Sequence, residues 1–209
     1  MTNLCPICKD QGIYWTDTLL KCIHCGHGFY LENERADYGP KYQERRKQGI
    51  PERRKQYIED RRILLKYVWY VDKKVLDYGC GTGEFLADKD GYELGDPRPQ
   101  DKYDLVVLRG VIEHIIDPSE IFTLHPEYFY ICSTPDFNSP GAIRDKEKWH
   151  LIEYPYHLHQ YTAASLNLLF QRNGYDLIGL HYPYNIYQDD PKAYPGNMMN
   201  AIFKRTNKQ

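Results

Sequence analysis

The stretch Lys74-Val-Leu-Asp-Tyr-Gly-Cys-Gly-Thr-Gly-Glu-Phe-Leu86 decides how the rest of this sequence is interpreted. Its apolar start predicts a buried strand, and glycines at three alternate positions predict a tight turn into a helix that begins near Glu84. The spacing differs from the dinucleotide fingerprint G-x-G-x-x-G, and no Gly-Lys-Ser/Thr follows as in a P-loop. Asp77 at the end of the strand would repel a phosphate and attract a cationic amino-acid group. The stretch therefore favours a nucleoside ligand without phosphate.

Composition excludes several classes of protein. The 209 residues are 42% apolar and 27% charged, which is typical of a globular chain with one sizeable core and a small appendage. No apolar run approaches the roughly 18 residues that span a membrane. The first residues contain no apolar signal-peptide region. We therefore expect a cytoplasmic protein, in which the six cysteines are thiols or metal ligands.

Two cysteine pairs near the start of the chain predict a metal site. Cys5-Pro-Ile-Cys8 and Cys22-Ile-His-Cys25 are separated by thirteen residues, which is long enough for a hairpin with a strand at Leu19-Leu20-Lys21. Two such pairs can direct four thiolates at one tetrahedral zinc ion. His24 and His27 are alternative ligands, but four thiolates already close the site. The pattern therefore predicts a structural zinc ribbon over residues 1–35.

The segment that follows is strongly basic. Residues 41–74 carry a net charge of +7, whereas the rest of the chain carries −9. Ile58, Leu65 and Trp69 lie near helical spacing, so we predict a basic helical linker or lid over residues 36–72. Three interpretations of this positive charge remain: a solvated face or lid, a site for a small phosphorylated acceptor, or a nucleic-acid surface.

From Lys73 onward the sequence resembles the class I S-adenosylmethionine (SAM)-dependent methyltransferases. The resemblance is to their ubiquinone-biosynthesis-type, small-molecule and sugar subfamily, some of whose members carry an N-terminal zinc ribbon. The matching segments are the glycine motif Asp77–Gly83, the second-strand region 91–97, the fourth-strand region 103–118 with its Glu-His and Asp-Pro pairs, the fifth strand 128–135 and the closing segment 157–175.

The resemblance implies an α/β fold with a Rossmann-like methyltransferase sheet over residues 73–209, and an acceptor-side segment over about 136–165. One departure matters. Only six residues separate Asp96 from Tyr103, where the family usually has a further helix and strand. We therefore expect a reduced sheet, with one wall of the adenine pocket missing. Residues 183–209 are not assigned a role.

The resemblance also implies the activity, which is transfer of a methyl group from SAM to a small-molecule acceptor such as a sugar or a phosphorylated sugar hydroxyl. The glycine motif would approach the cofactor, and an acidic residue after the second strand would bind the ribose. The implied cofactor-binding residues are Asp77, Tyr78, Gly79, Gly81, Gly83, Asp96 and Arg109.

Histidines supply the candidate acceptor-side groups. His114 follows the fourth strand, at the sheet edge where ligands bind in α/β folds, and Glu113 beside it could orient a base or bind a divalent ion. His157 and His159 share one face of an extended segment and could supply a base, or a second metal site together with the first pair. The alternative is a structural role, in which these side chains cap a loop or pack in the core.

Two other functions fit the same sequence. A vestigial methyltransferase scaffold could serve as a module that binds nucleic acid or protein through the zinc ribbon and the basic segment. An RNA methyltransferase would combine both activities. The sequence does not identify the acceptor, the methylated atom or the oligomeric state.

Overall fold

The computed structural model describes residues 3–31, 44, 50–94, 96–97, 99–183 and 197–206. Much of the predicted linker, at 36–43 and 45–49, lies outside the described residues, as do 184–196 near the end of the chain. No helix in the described part is both long enough and apolar enough to cross a membrane.

The amino-terminal segment folds into three short antiparallel strands, β1 (Gly12–Tyr14), β2 (Leu19–Cys22) and β3 (Gly28–Tyr30). The strand expected at Leu19-Leu20-Lys21 is confirmed. A fourth strand, β8 (His159–Gln160), comes from the acceptor-side segment and pairs with β3. We refer to residues 3–31 as the ribbon. Its sheet is completed by a strand from late in the chain.

Helix α1 (Ile50–Leu65) confirms the helix predicted in the basic segment, but not its buried face. The apolar residues that suggested that face, Ile58 and Leu65, are 46% and 42% exposed. Instead the helix buries a mixed stripe on the opposite side, which includes Gln56, Tyr57, Asp60 and Leu64. The buried face differs from the one that the apolar spacing suggests, because polar residues of this stripe bond to partners on distant strands.

The main sheet has six strands in the order β5-β4-β6-β7-β10-β9. The first four are parallel, and β10 runs antiparallel to both of its neighbours. The strands are β4 (Val75–Tyr78), β5 (Asp90–Tyr92), β6 (Leu105–Arg109), β7 (Tyr128–Pro135), β9 (Tyr175–His181) and β10 (Met198–Arg205). The strands predicted at 103–108 and 128–135 are therefore confirmed.

The two faces of this sheet pack into different cores, because successive strand residues point to opposite sides. On one face Val107 and Tyr130 pack with Leu64 of α1. On the other face Val106 and Phe129 pack with Phe170 and with buried residues of the ribbon. The sheet is thus covered by helix α1 on one side and by the ribbon and helix α3 (Ala163–Arg172) on the other.

The remaining elements are short. Helix α2 (Pro140–Asp145) lies in the acceptor-side segment, and 3-10 turns occupy Ile112–His114, Pro118–Leu124 and Lys146–Lys148. Helix α3 begins with a reciprocal cap, in which the side chain of Thr162 accepts from the amide of Ser165 and that of Ser165 accepts from the amide of Thr162.

The cofactor end of the sheet is reduced, as expected. The described residues between Asp96 and Tyr103 form no helix or strand, so β5 is the edge strand. The helix predicted from Glu84 was wrong, because residues 85–89 form bends and turns. Phe85 and Leu86 nevertheless pack in the core under α1. These two buried side chains anchor the connection between β4 and β5 to the core, although the connection forms no helix.

Candidate functional site

The glycine loop follows β4 directly and has the left-handed backbone that its glycines permit. Gly79, Gly81 and Gly83 have φ values of +75°, +60° and +77°. A Cβ atom on Gly79 would lie 2.6 Å from the side chain of Val111, so the loop approaches the residues that follow β6. A Cβ atom on Gly83 would meet no atom within 4 Å. The loop is therefore packed at its start and open at its end, where a ligand could approach the backbone.

Asp77 is a buried carboxylate beside this loop. It is 3% exposed, and burial raises its pKa to about 7, although the charge of Arg109 and a hydrogen bond from the Leu86 amide oppose the rise. The nearby charge of Glu93 raises the pKa further. The protein therefore only partly neutralises the negative charge of the Asp77 carboxylate. Such a carboxylate suits a cationic ligand group.

The acidic side chain at the end of β5 is Glu93, which sequence reasoning missed. β5 ends at Tyr92, and the carboxylate of Glu93 accepts a hydrogen bond from the amide of Gly81. Asp96 lies beyond a turn, where its carboxylate accepts from the amide of Glu93 at 3.3 Å and is exposed to solvent. The signal that could have found Glu93 is its place immediately after the short strand.

The side chains of two further residues implied by the resemblance form hydrogen bonds to other residues of the protein. The side chain of Tyr78 is buried, and its hydroxyl donates to Glu120 at 2.8 Å. The guanidinium of Arg109 donates to Asp60 at 3.0 Å and lies 4.4 Å from the centre of the Tyr57 ring. Arg109 thereby joins β6 to α1 behind the glycine loop.

Asp60 is the centre of a buried polar network. Its carboxylate accepts from Arg109, from Ser133 at 3.1 Å and from Asn200 at 2.8 Å. Burial raises its pKa, against the opposing charge of Arg109. The network ties α1 to β6, β7 and β10 at the carboxyl edge of the sheet, and this explains why a polar stripe of α1 faces inward.

Glu113, His114 and His157 come together on the acceptor side of the same edge. Their potential ligand atoms lie within 4.8 Å of one another, and the two imidazole rings meet edge to face at 4.8 Å. The Nδ1 of His114 lies 2.7 Å from the carbonyl of Tyr156, and that of His157 lies 2.7 Å from the carbonyl of Leu151. A carbonyl can only accept, so each Nδ1 carries the proton and each neutral ring has its lone pair on Nε2.

This arrangement has two chemical uses. An imidazole held by a carbonyl at Nδ1 can take a proton at Nε2, and a neighbouring carboxylate stabilises the resulting cation. The same orientation is typical of histidines that bind a divalent ion, with Glu113 as a third ligand. Burial lowers the pKa of His157, which keeps this ring neutral at pH 7 for either use.

His159 has a different environment from the other three candidates. It is 2% exposed, with Nδ1 3.1 Å from Nε2 of His27 and Nε2 3.3 Å from the carbonyl of Ile116. Burial lowers its pKa to about 4. Both of its ring nitrogens are engaged at the junction between ribbon and sheet, so this geometry favours a positioning role over contact with an acceptor.

The four ribbon cysteines converge at one point. Their sulfur atoms lie within 4.8 Å of one another, with Cys5 and Cys25 3.7 Å apart and Cys8 and Cys22 3.3 Å apart. Four thiolates around a zinc ion at about 2.3 Å would be about 3.8 Å apart. Donation from Cys25 and from backbone amides lowers the pKa of Cys5 to about 5. The donor set and its spacing fit a zinc ion.

Comparison with known proteins agrees with this architecture. Residues 42–180 match a family model described as a methyltransferase domain. No curated protein matches the sequence. A SAM-dependent methyltransferase from Thermotoga maritima has a similar structure, with a TM-score of 0.58 and 11% identity over 79% of this chain and 97% of that one. One from Methanosarcina mazei has a TM-score of 0.50 and 11% identity over 69% and 97%. At this identity they show a shared fold alone.

Proposed function

Because the chain belongs to the family of methyltransferase domains, we propose that it transfers a methyl group from SAM to a hydroxyl group of a small-molecule acceptor, such as a sugar. The observation that carries the proposal is the cluster of Glu113, His114 and His157 at the carboxyl edge of the sheet. It lies at the edge where α/β folds bind their ligands, beyond the strand that neighbours the glycine loop.

The residues of the glycine loop fit the cofactor. SAM carries the electrophilic methyl group on a sulfonium and also has an ammonium group and a ribose diol. Asp77 is suited to the cationic amino-acid part, because its buried charge is incompletely compensated. Glu93 and Asp96 are the candidates for the ribose hydroxyls. Gly83 leaves the backbone accessible. The side chain of Arg109, which is held by Asp60, would support this wall of the site.

The zinc ribbon has a structural role in this proposal. Four thiolates from Cys5, Cys8, Cys22 and Cys25 complete a tetrahedral shell, which leaves no open position for an acceptor.

His114 is the proposed general base. The ring is only partly buried, and its Nδ1 proton is fixed on the Tyr156 carbonyl, so Nε2 can accept the proton of the acceptor hydroxyl. The acceptor oxygen then attacks the methyl carbon as the bond from that carbon to sulfur breaks. Glu113 stabilises the imidazolium, and Thr134 donates to its carboxylate at 3.3 Å. His157 packs against the ring of His114 and limits its rotation.

An acceptor screen tests this proposal. Zinc-loaded protein is incubated with SAM and a panel of sugars, nucleotide sugars and phenols, and formation of S-adenosylhomocysteine (SAH) is measured. His114→Asn should lower turnover by about 10² or more, because general base catalysis contributes that much. The matched control is His125→Asn on the opposite edge, where Asn accepts the left-handed backbone (φ +46°). Equal loss in both variants, or none, contradicts the base assignment.

The exposed face of α1 supports a second candidate, methylation or binding of RNA. It presents Arg54, Lys55 and Arg62 to solvent, and Lys66 is exposed in the turn that follows the helix. Arg53 instead bonds to Tyr57, and Arg61 bonds to the Phe85 carbonyl. Alanine substitution of the four exposed residues should remove salt-dependent retention of RNA if this face binds it. Absence of retention by the wild-type protein at low salt contradicts this alternative.

A further inference from the structure

The polar contacts of the ribbon with the rest of the molecule involve the acceptor-side segment and the end of helix α3, where Arg172 donates to the carbonyls of Ile7 and Cys8. In the pairing of β3 with β8, Gly28 lies opposite Gln160 and Phe29 lies opposite His159. Among the described residues, no hydrogen bond joins residues 3–31 to residues 75–97, which hold the glycine loop and β5. The ribbon is therefore placed to influence the acceptor side without a direct polar link to the cofactor side.

Side chains at the metal end of the ribbon strengthen this junction. The carbonyl of Cys25, a proposed zinc ligand, accepts from the hydroxyl of Thr162 at 3.0 Å. Two residues further along, Nε2 of His27 lies 3.1 Å from Nδ1 of His159. The residues that lead from the second cysteine pair into β3 are thus connected to His159, the first residue of β8, and to Thr162 just after β8.

We propose that the metal-bound ribbon is the positioning element of the acceptor side, holding His157 and Glu113 in their working arrangement through β8 while leaving the glycine loop independent. This inference rests on the proposed function in one respect, since it takes the Glu113, His114 and His157 cluster as the group that deprotonates the acceptor. It gives the ribbon a task in the reaction in addition to its contribution to stability.

Three hydrogen bonds connect residues 156–159, at the start of β8, to residues 113–116, which include Glu113 and His114 of the cluster. The amide of Leu158 donates to the carbonyl of Glu113 at 2.8 Å. The carbonyl of Ile116 accepts from Nε2 of His159 at 3.3 Å, and the carbonyl of Tyr156 accepts from Nδ1 of His114 at 2.7 Å. A displacement of β8 relative to the ribbon would move all three bonds, and with them the two catalytic side chains on the turn.

Apolar packing provides a second connection. Leu19 and Tyr30 of the ribbon form a buried cluster with Phe137 and Trp149 of the acceptor-side segment, and Leu151 packs against this cluster. The carbonyl of Leu151 fixes the proton on His157. The orientation of the His157 ring therefore depends on a residue that is seated against the ribbon.

A steric substitution at Gly28 tests the inference. A Cβ atom there would lie 2.7 Å from Cβ of Gln160 and 2.8 Å from the Phe137 ring, so Gly28→Ala must push β3 and β8 apart. The matched control is Gly91→Ala on the cofactor side, where a Cβ atom would lie 2.9 Å from Sγ of Cys80. Both glycines lie in strands, so the two variants differ mainly in which side of the site they disturb.

Amide hydrogen exchange and SAH calorimetry separate the two effects without an identified acceptor. In Gly28→Ala, exchange at Leu158 should accelerate by about tenfold or more relative to Val106 in the central strand, because β8 opens locally. Its affinity for SAH should stay within about twofold of wild type, and with an acceptor from the screen kcat should fall by about 10–10². In Gly91→Ala, the affinity for SAH should fall and the exchange at Leu158 should not change.

Exchange at Leu158 in Gly28→Ala that matches the wild type, or acceleration equal to that at Val106, overturns the inference. Removing the metal from wild-type protein with a chelator gives a second measurement that needs no variant. Leu158 should lose protection before Val106 and regain it when zinc is restored. If instead wild-type protein fails to bind SAH while these exchange results hold, the proposed function fails and the positioning role stands.

Discussion

On the cofactor side of the sheet edge, residues 75–94 contribute two strands and no helix, whereas the acceptor side has a second sheet built against it. The glycine loop is followed by bends, and β5 is an edge strand of three residues. The acceptor-side segment is tied to the ribbon by strand pairing, side-chain hydrogen bonds and a buried aromatic cluster.

This contrast indicates which part of the site needs support from another part of the chain. A cofactor with many groups of its own can be held by a few backbone positions and one or two carboxylates. An acceptor hydroxyl must be placed within about 3–3.5 Å of the methyl carbon, so the base that activates it needs a rigid support. The ribbon supplies that support in this chain.

The largest effect is expected from removal of the zinc ion that we propose the four ribbon cysteines bind. A structural zinc ion contributes at least several kcal/mol to folding, so chelation should lower Tm by about 10 °C or more. Trp149, which is 2% exposed at the junction between ribbon and acceptor side, should show a red-shifted fluorescence. Cys80→Ser, outside the ribbon, should leave the zinc content unchanged. An unchanged Tm and fluorescence after complete zinc removal would refute the structural role of the ribbon.

The polar network behind the glycine loop should give the next largest effect. Asp60→Asn leaves the buried guanidinium of Arg109 without its counter-charge, which should cost about 3–5 kcal/mol in the free energy of unfolding measured with urea. Glu59→Gln on the same helix breaks only the exposed pair with Arg62 and should cost less than about 1 kcal/mol. Equal losses would mean that the network does not fix α1.

The burial of Asp77 predicts a stability that depends on pH. Its pKa is raised from 3.8 to about 7 in the folded protein, so its contribution is fully present below pH 3.8 and is lost as the pH rises through 7. Asp77→Asn should therefore gain stability relative to the ligand-free wild type between pH 5 and 8, by about 2 kcal/mol. The exposed Asp88→Asn should show no such trend, and a flat difference for Asp77→Asn would contradict the assigned burial effect.

The smallest effect distinguishes the two acidic residues after β5. Glu93→Gln should weaken SAH binding by about tenfold, since a charge-assisted hydrogen bond to a ribose hydroxyl contributes about 1.5 kcal/mol. Asp96→Asn should change the affinity by less than about twofold, because its carboxylate is exposed beyond the turn. Calorimetry of both variants decides between them, and the opposite ranking would restore Asp96 as the ribose ligand.

Much of the fold followed from local patterns in the sequence. The glycine spacing after Val75-Leu76 requires left-handed backbone at three positions, and the structure has it. The paired cysteines converge because each pair closes a short turn. The missing unit after Asp96 was predicted from the family resemblance, because the six residues before Tyr103 are too few for the helix and strand that the family usually has there.

The errors came from interactions between distant parts of the chain. The buried face of α1 depends on Asp60 meeting Arg109 and Asn200, which are 49 and 140 residues away, so the apolar spacing of Ile58 and Leu65 was misleading. The pairing of β8 with the ribbon involves only two residues and has no periodic signal. Coordinates were therefore needed to show that His114 and His157 cluster with Glu113, whereas His159 contacts His27 of the ribbon.

The most direct test of the account is calorimetric titration of the zinc-loaded protein with SAH at pH 8, beside Asp77→Ala. The account predicts micromolar binding by the wild type and its loss in the variant, because the reduced cofactor side still presents the glycine loop and a buried carboxylate. No binding by folded wild-type protein at millimolar SAH, or equal binding by both proteins, would contradict it.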